Sequence, residues 1–164
     1  MSAYKKIGII SDTHGPLLTP VFNIFESVDA IIHAGDFGSP GPVEELEAMA
    51  PIYGVSGNVD GFDITHRFPQ KRIVNIGDIN FYIQHIIHDP VSHYLKLKRD
   101  PLFSEADIVV FGHSHVPIID HFGRYLYINP GSAKEPRVVL NPSVAIVIVD
   151  DGVIKETWIE TFEV

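Results

Sequence analysis

Four short clusters of metal-friendly residues stand in order along the chain: Ser11-Asp12-Thr13-His14, Gly35-Asp36, Gly57-Asn58 and Gly112-His113-Ser114-His115. Each follows an apolar run that reads as a β-strand. Strand ends on one edge of a sheet converge, so clusters distant in sequence can surround the same ions. Aspartate, histidine and asparagine without cysteine form a mixed oxygen and nitrogen donor set. It suits Mn²⁺, Fe, Zn²⁺, Co²⁺ or Ni²⁺ better than Ca²⁺. Asp12 and His14 are two apart, and in an extended segment both side chains point the same way. His113 and His115 repeat that spacing, with Ser114 turned away. A carboxylate can bridge two ions through its two oxygens, and Asp36 is the candidate. The glycines before Asp36, Asn58 and His113 are expected to let the backbone turn sharply at the strand ends. A lone Gly-Asp or Gly-Asn is an ordinary turn. Four such clusters, each closing a strand, point to one site.

The elements that must position them follow from periodicity. Tyr4 to Ile10, Ala30 to His33 and Ile52 to Val55 read as strands. Thr19 to Ser27 and Pro42 to Ala50 read as helices, each with a proline near its start. The alternation predicts a parallel sheet with helical crossovers. Farther on, Arg72 to Ile76 and Ile79 to Gln84 flank Gly77-Asp78 as a hairpin. His85 to Arg99 reads as loop plus helix, and Asp107 to Phe111 as another buried strand. Ile118 to Phe122 and Tyr125 to Ile128 form a second hairpin, Val144 to Val149 and Val153 to Ile159 a third. The late hairpins suggest a second sheet packed on the first. The expected fold class is α/β, one domain over residues 1–164.

Bulk properties narrow the chemistry. The chain has 164 residues, 45% of them hydrophobic, no cysteine, and a formal net charge of −9. Absence of cysteine removes disulfides, cysteine nucleophiles and thiolate metal sites, and fits a cytoplasmic setting. Met1 to Lys6 is short and polar, unlike a signal peptide. No apolar run is long enough for a membrane helix. The acidic balance argues against general nucleic-acid binding. It does not exclude a phosphate ester, because bound cations reverse the local field.

In combination the motifs resemble those of the calcineurin-like metallophosphoesterases, and among them the small single-domain phosphodiesterases. Asp12-Thr13-His14 matches that family's D-x-H, and Ala34-Gly35-Asp36 its GD. Gly57-Asn58-Val59-Asp60 matches GN-x-D, and Gly112-His113-Ser114-His115 matches GHSH. The likeness runs from Ile7 through Asn129-Pro130-Gly131-Ser132, itself similar to a family turn. It implies a two-sheet β-sandwich flanked by helices, a four-layer α/β/β/α architecture. It also implies two divalent ions, with Mn²⁺ expected first. One ion falls to Asp12, His14, Asp36 and His115. The other falls to Asp36, Asn58, His113 and a histidine at the strand end, His85. The family usually has glycine directly after that histidine. Here the stretch is His85-Ile86-Ile87-His88, so His88 is an alternative ligand. Catalytic roles are assigned to Asp36, Asn58, His85 and His88, and substrate contacts to Asn58 and His88. Where larger relatives carry a histidine after GN this chain has Val59, and His88, His93 or an ion-bound water stands open as general acid.

The expected chemistry is hydrolysis of a small phosphodiester. Two ions about 4 Å apart bridge a water and lower its pKa, and the hydroxide attacks phosphorus in line. The competing reading is a metal-binding scaffold of the type of the retromer subunit Vps29, which has a similar fold and departs from the full ligand set. A homodimer is a further expectation. G-x-G-x-x-G after the first strand and G-x-S-x-G are both missing, which argues against a dinucleotide-binding domain and a serine hydrolase. His33 reads equally as a core histidine or as one that orients Asp36. Lys96, Lys98 and Arg99 read as a solvated helix face or as an aid to phosphate steering.

Overall fold

The protein is described by a computed structural model covering residues 3–137 and 140–164, without the side chain of Leu97. Met1 and Ser2 of the polar Met1 to Lys6 stretch lie outside the described residues. Five strands form one mixed sheet: β1 (Lys5–Ile10), β2 (Ala30–His33), β3 (Ile52–Gly54), β9 (Ser143–Asp150) and β10 (Val153–Thr161), in the order β10-β9-β1-β2-β3. Five more form the second: β4 (Lys71–Ile76), β5 (Ile79–Gln84), β6 (Ile108–Val110), β7 (Ile118–Phe122) and β8 (Tyr125–Asn129), in the order β4-β5-β6-β8-β7. The helices are α1 (Thr19–Ile24), α2 (Gly41–Glu47), the single turn α3 (Phe62–Thr65) and α4 (Pro90–Leu97).

Strand periodicity explains the layers. Ile7, Ile9, Val147 and Val149 of the first sheet meet Phe81, Ile83, Ile108, Val110 and Ile128 of the second in one buried cluster. The intervening residues Ile10, Ile146 and Ile148 face outward and pack with Val21, Phe25 and Leu46 around α1 and α2. On the far side of the second sheet, Tyr82, Val109 and Tyr127 pack with Phe103 and, partly buried, Tyr94 of α4. Each apolar side chain buried this way contributes roughly 1.5–3 kcal/mol. The four-layer expectation therefore holds.

One assignment is corrected. The third hairpin does not join the second sheet. β9 pairs antiparallel with β1, Lys5 opposite Val149, and β10 pairs with β9. β9 is buried at every position from Ser143 to Val149. A strand apolar on both faces belongs in a sheet's interior, covered on each side, and the free edge of β1 provides that place.

The crossovers are set locally. Pro stands in the first turn of α1, α2 and α4. Asp89 caps α4 by accepting the N–H groups of Val91 and Ser92 at 3.2 and 3.3 Å. The strands β1, β2 and β3 run parallel, as do β5 and β6, so their carboxyl ends gather at one edge. Among the described residues no helix is long and apolar enough to cross a membrane.

Candidate metal centre

The four clusters meet at that edge. Asp12 and His14 follow β1, Asp36 follows β2 and Asn58 follows β3, while His85 follows β5 and His113 and His115 follow β6. Two groups form: Asp12, His14 and His115, and Asp36, His85 and His113, with candidate ligand atoms within 4.8 Å of one another inside each group. Asn58 Oδ1 lies 3.0 Å from both His85 Nε2 and His113 Nδ1, adding an oxygen to the second group.

The two carboxylates divide their oxygens between protein and site. Asp12 Oδ2 accepts the Ser11 hydroxyl at 2.6 Å and the His113 N–H at 3.0 Å. Its Oδ1 faces His115 Nε2 at 3.1 Å, His14 Nε2 at 3.7 Å and His85 Nε2 at 3.8 Å. Asp36 Oδ1 accepts the Val59 N–H at 3.0 Å. Its Oδ2 lies 3.1 Å from His85 Nε2 and 3.9 Å from His14 Nε2, between the two groups. Oδ2 thus faces both groups, while Oδ1 is turned toward the Val59 N–H.

Histidine tautomers are fixed from outside. His85 Nδ1 donates to the Ala34 carbonyl at 2.7 Å, and His115 Nδ1 donates to the Glu135 carbonyl. Each arrangement turns Nε2 toward the carboxylates, as an ion-binding imidazole requires. Burial pushes the Asp12 carboxyl up, but contact with His115, the charge of His85 and the Ser11 hydroxyl outweigh it and hold it below the ordinary range. Burial likewise pushes His85 down, yet its contact with Asp36 and the charges of Asp12 and Asp36 raise it above the usual imidazole value. The site therefore favours positive charge. Asp12 Oδ1 and His14 Nε2 are buried without a hydrogen-bond partner. Unsatisfied buried donors and acceptors are costly, and a divalent cation between them would satisfy both. The donor set and these orphaned atoms fit such an ion.

The backbone is not extended here. Asp12, His14, Asp36, His113 and His115 all have positive φ, between 47° and 68°. The expectation that Asp12 with His14, and His113 with His115, share a face of an extended segment is corrected. β1 ends at Ile10 and β6 at Val110, and these side chains converge because the chain coils left-handed after the strand. Such conformations cost about 1 kcal/mol or more each and collect at functional sites. The glycines also differ from expectation. Gly35 has φ 102°, but Gly57 and Gly112 are not in the left-handed region. They are needed for close approach: a Cβ on Gly57 would overlap Asp36, and one on Gly112 would overlap Ser11.

His88 stands apart from both groups, exposed, its ring 5.8 Å from that of His113. His93 is farther into the second sheet's outer layer, its Nδ1 3.2 Å from the Tyr127 hydroxyl. His33 is fully buried, stacked on Phe37 at 3.6 Å. Its Nδ1 accepts the Gly35 N–H at 3.1 Å, so Nε2 donates to Thr13 Oγ1 at 3.1 Å, which donates in turn to the Phe37 carbonyl at 3.1 Å. Burial pulls its pKa down to about 3. It is both the core histidine and the one that holds the Asp12–His14 and Gly35–Asp36 loops together.

Sequence reasoning missed other positioning residues. Asp60 Oδ2 accepts the N–H groups of Asp36 and Gly57 at 2.9 and 2.8 Å, and Oδ1 accepts that of Gly38 at 3.1 Å. Its place in Gly57-Asn58-Val59-Asp60 was the available signal. Ser132 Oγ donates to the Asp12 carbonyl at 2.8 Å, and Asn129 Nδ2 donates to the Gly112 carbonyl at 3.1 Å. The Asn129-Pro130-Gly131-Ser132 turn thus ties the loops that carry Asp12 and His113.

The sequence profile of the calcineurin-like phosphoesterase superfamily domain matches residues 6–152. A probable metallophosphoesterase of Methanothermobacter thermautotrophicus is 35% identical over 152 residues, covering 88% of this chain and 86% of its own. A phosphodiesterase of Methanocaldococcus jannaschii is 34% identical over 142 residues, covering 77% and 82%. Among solved structures, Vacuolar Protein Sorting 29 from Cryptosporidium parvum superposes with a TM-score of 0.76, covering 97% of this chain and 98% of that one. At 21% identity this is a likeness of fold.

Proposed function

The chain belongs to the calcineurin-like phosphoesterase superfamily, and from that premise we propose that it is a phosphodiesterase working with two divalent ions, Mn²⁺ first among them. The observation that carries this reading is the pair of ligand groups meeting across Asp36 Oδ2. Asp12, His14 and His115 are assigned to one ion, His85, His113 and Asn58 to the other, and Asp36 to both. When bound, two such ions supply an activated water and offset charge on the phosphoryl oxygens. Asn58, at the exposed rim, and His88 beside His113 are assigned to the substrate.

Hydrolysis joins the water oxygen to phosphorus and breaks the bond to one ester oxygen, which takes a proton as the alcohol leaves. The test is hydrolysis of bis-p-nitrophenyl phosphate by metal-stripped protein with and without Mn²⁺, and by Asp36→Asn. Activity that needs Mn²⁺ and is lost in the variant supports the reading. Inactivity with Mn²⁺, Ni²⁺, Co²⁺ and Zn²⁺ alike rejects it and leaves a metal-binding scaffold.

A further inference from the structure

A cavity of about 520 Å³ opens beside the ligand cluster, walled by Lys71, Tyr82, Gln84, His88, His93 and Lys96 among others. A second, of about 230 Å³, lies over Asn58 and His85. Gln84 and Ile86 belong to both walls, so the two cavities adjoin there. Gln84 is pinned at the junction. Its Oε1 accepts the Tyr82 hydroxyl at 2.8 Å, and its Nε2 donates to the Ile86 carbonyl at 3.3 Å. Lys71 is its direct cross-strand partner. His88 also lines the larger cavity, and its ring lies 5.8 Å from that of His113. An arm that leaves the candidate ligands past Gln84 would enter the cavity walled by the two lysines.

The charge here runs against that of the whole chain, which is −9. Lys96 makes no ion pair among the described residues, and Lys71 Nζ has Asp100 Oδ2 at 3.7 Å, a partly exposed and weak pairing. The acidic side chain on the wall, Asp89, keeps its charge but is held at the start of α4. It accepts the Val91 and Ser92 N–H groups and the Ser92 hydroxyl. Two ammonium groups against one carboxylate leave the wall with a positive balance that favours an anion. A neutral ester arm would gain nothing from them. Lys98 and Arg99 are exposed and take no part in this wall.

We propose that this cavity is a subsite for a second phosphate carried on one ester arm of the substrate, so that the preferred substrate is a phosphodiester bearing a further phosphate group. The inference rests on the phosphodiesterase reading. Lys71 and Lys96 act as specificity-determining residues that hold the distal anion, while Gln84 and His88 line the path of the arm.

The test compares thymidine 5′-(p-nitrophenyl phosphate) with the same diester carrying a 3′-phosphate. The phosphorylated diester should show a kcat/KM at least tenfold higher, mostly through KM. That advantage should fall below twofold in Lys71→Ala/Lys96→Ala, and shrink in 0.5 M salt, while bis-p-nitrophenyl phosphate is hydrolysed at the native rate. Equal kcat/KM for the two diesters, or an advantage that survives the double variant, overturns the subsite. Titration calorimetry on the Mn²⁺-loaded protein gives a readout without turnover. Thymidine 3′,5′-bisphosphate should bind at least tenfold tighter than the 5′-monophosphate, and the gain should vanish in the double variant; equal binding overturns the subsite. Failure to hydrolyse any diester rejects the phosphodiesterase reading separately, with calorimetry still deciding the fate of the subsite.

Discussion

Asp60 Oδ2 accepts the backbone N–H of Asp36 at 2.9 Å. The same carboxylate also holds Gly57 and Gly38, so it fixes two ligand-bearing loops without facing the cluster itself. Asp60→Ala should therefore weaken ion binding about ten- to hundredfold, with much of the activity recovered at high Mn²⁺. Calorimetric titration with Mn²⁺ checks this; unchanged affinity would show that the loops hold their shape unaided.

His85 and His88 should separate by what they lose. His85→Ala removes a side chain 3.1 Å from Asp36 Oδ2 and should lower the bound-metal content measured by mass spectrometry. His88→Ala should keep the metal and slow substrates with poor leaving groups more than p-nitrophenyl esters, since a proton donor matters most where the leaving alcohol is basic. Equal slowing of both ester types would remove His88 from that role.

Gly57→Ala tests close approach. The added methyl would overlap Asp36 Oδ1 and N, and displacing them should cost about 1–3 kcal/mol of stability together with activity. A urea midpoint equal to that of the native protein would show that the loop yields freely.

Acid should weaken the fold partly through His93. Burial, then the charges of Lys96 and Lys71, pull its pKa from 6.5 down to about 4. Between those values the unfolded chain holds a proton on this ring that the folded chain does not. Stability therefore rises with pH across the window and is lost as pH falls from about 6.5 toward 4. After allowance for solvent screening the share is about 1–2 kcal/mol. His93→Phe should flatten this part of the stability profile, read from urea midpoints at a series of pH values. A slope identical to the native one would refute the assignment.

Much of this was legible in the residues. β-branched runs marked most strands within a residue or two, and the order of Asp12, Asp36, Asn58 and His113 located the site. What escaped depended on distant backbone. Nothing in Val144 to Val149 names β1 as its neighbour; only burial on both faces excluded an edge. Spacing of two suggested extended Asp12-Thr13-His14, whereas positive φ is decided by the loops those residues meet. Asp60 and Ser132 bind N–H and carbonyl groups, which carry no side-chain signature, so their partners were invisible in the sequence.

Each ligand group draws members from both sheets: Asp12 and His14 from the first with His115 from the second, and Asp36 from the first with His85 and His113 from the second. The reactive edge is therefore also a seam between two laminae. A cation seated there would act as a rivet, adding resistance to sliding of one lamina over the other at this rim to that of the packed interface behind it. Loading and unloading the site would then change how stiffly the two halves of the molecule move together.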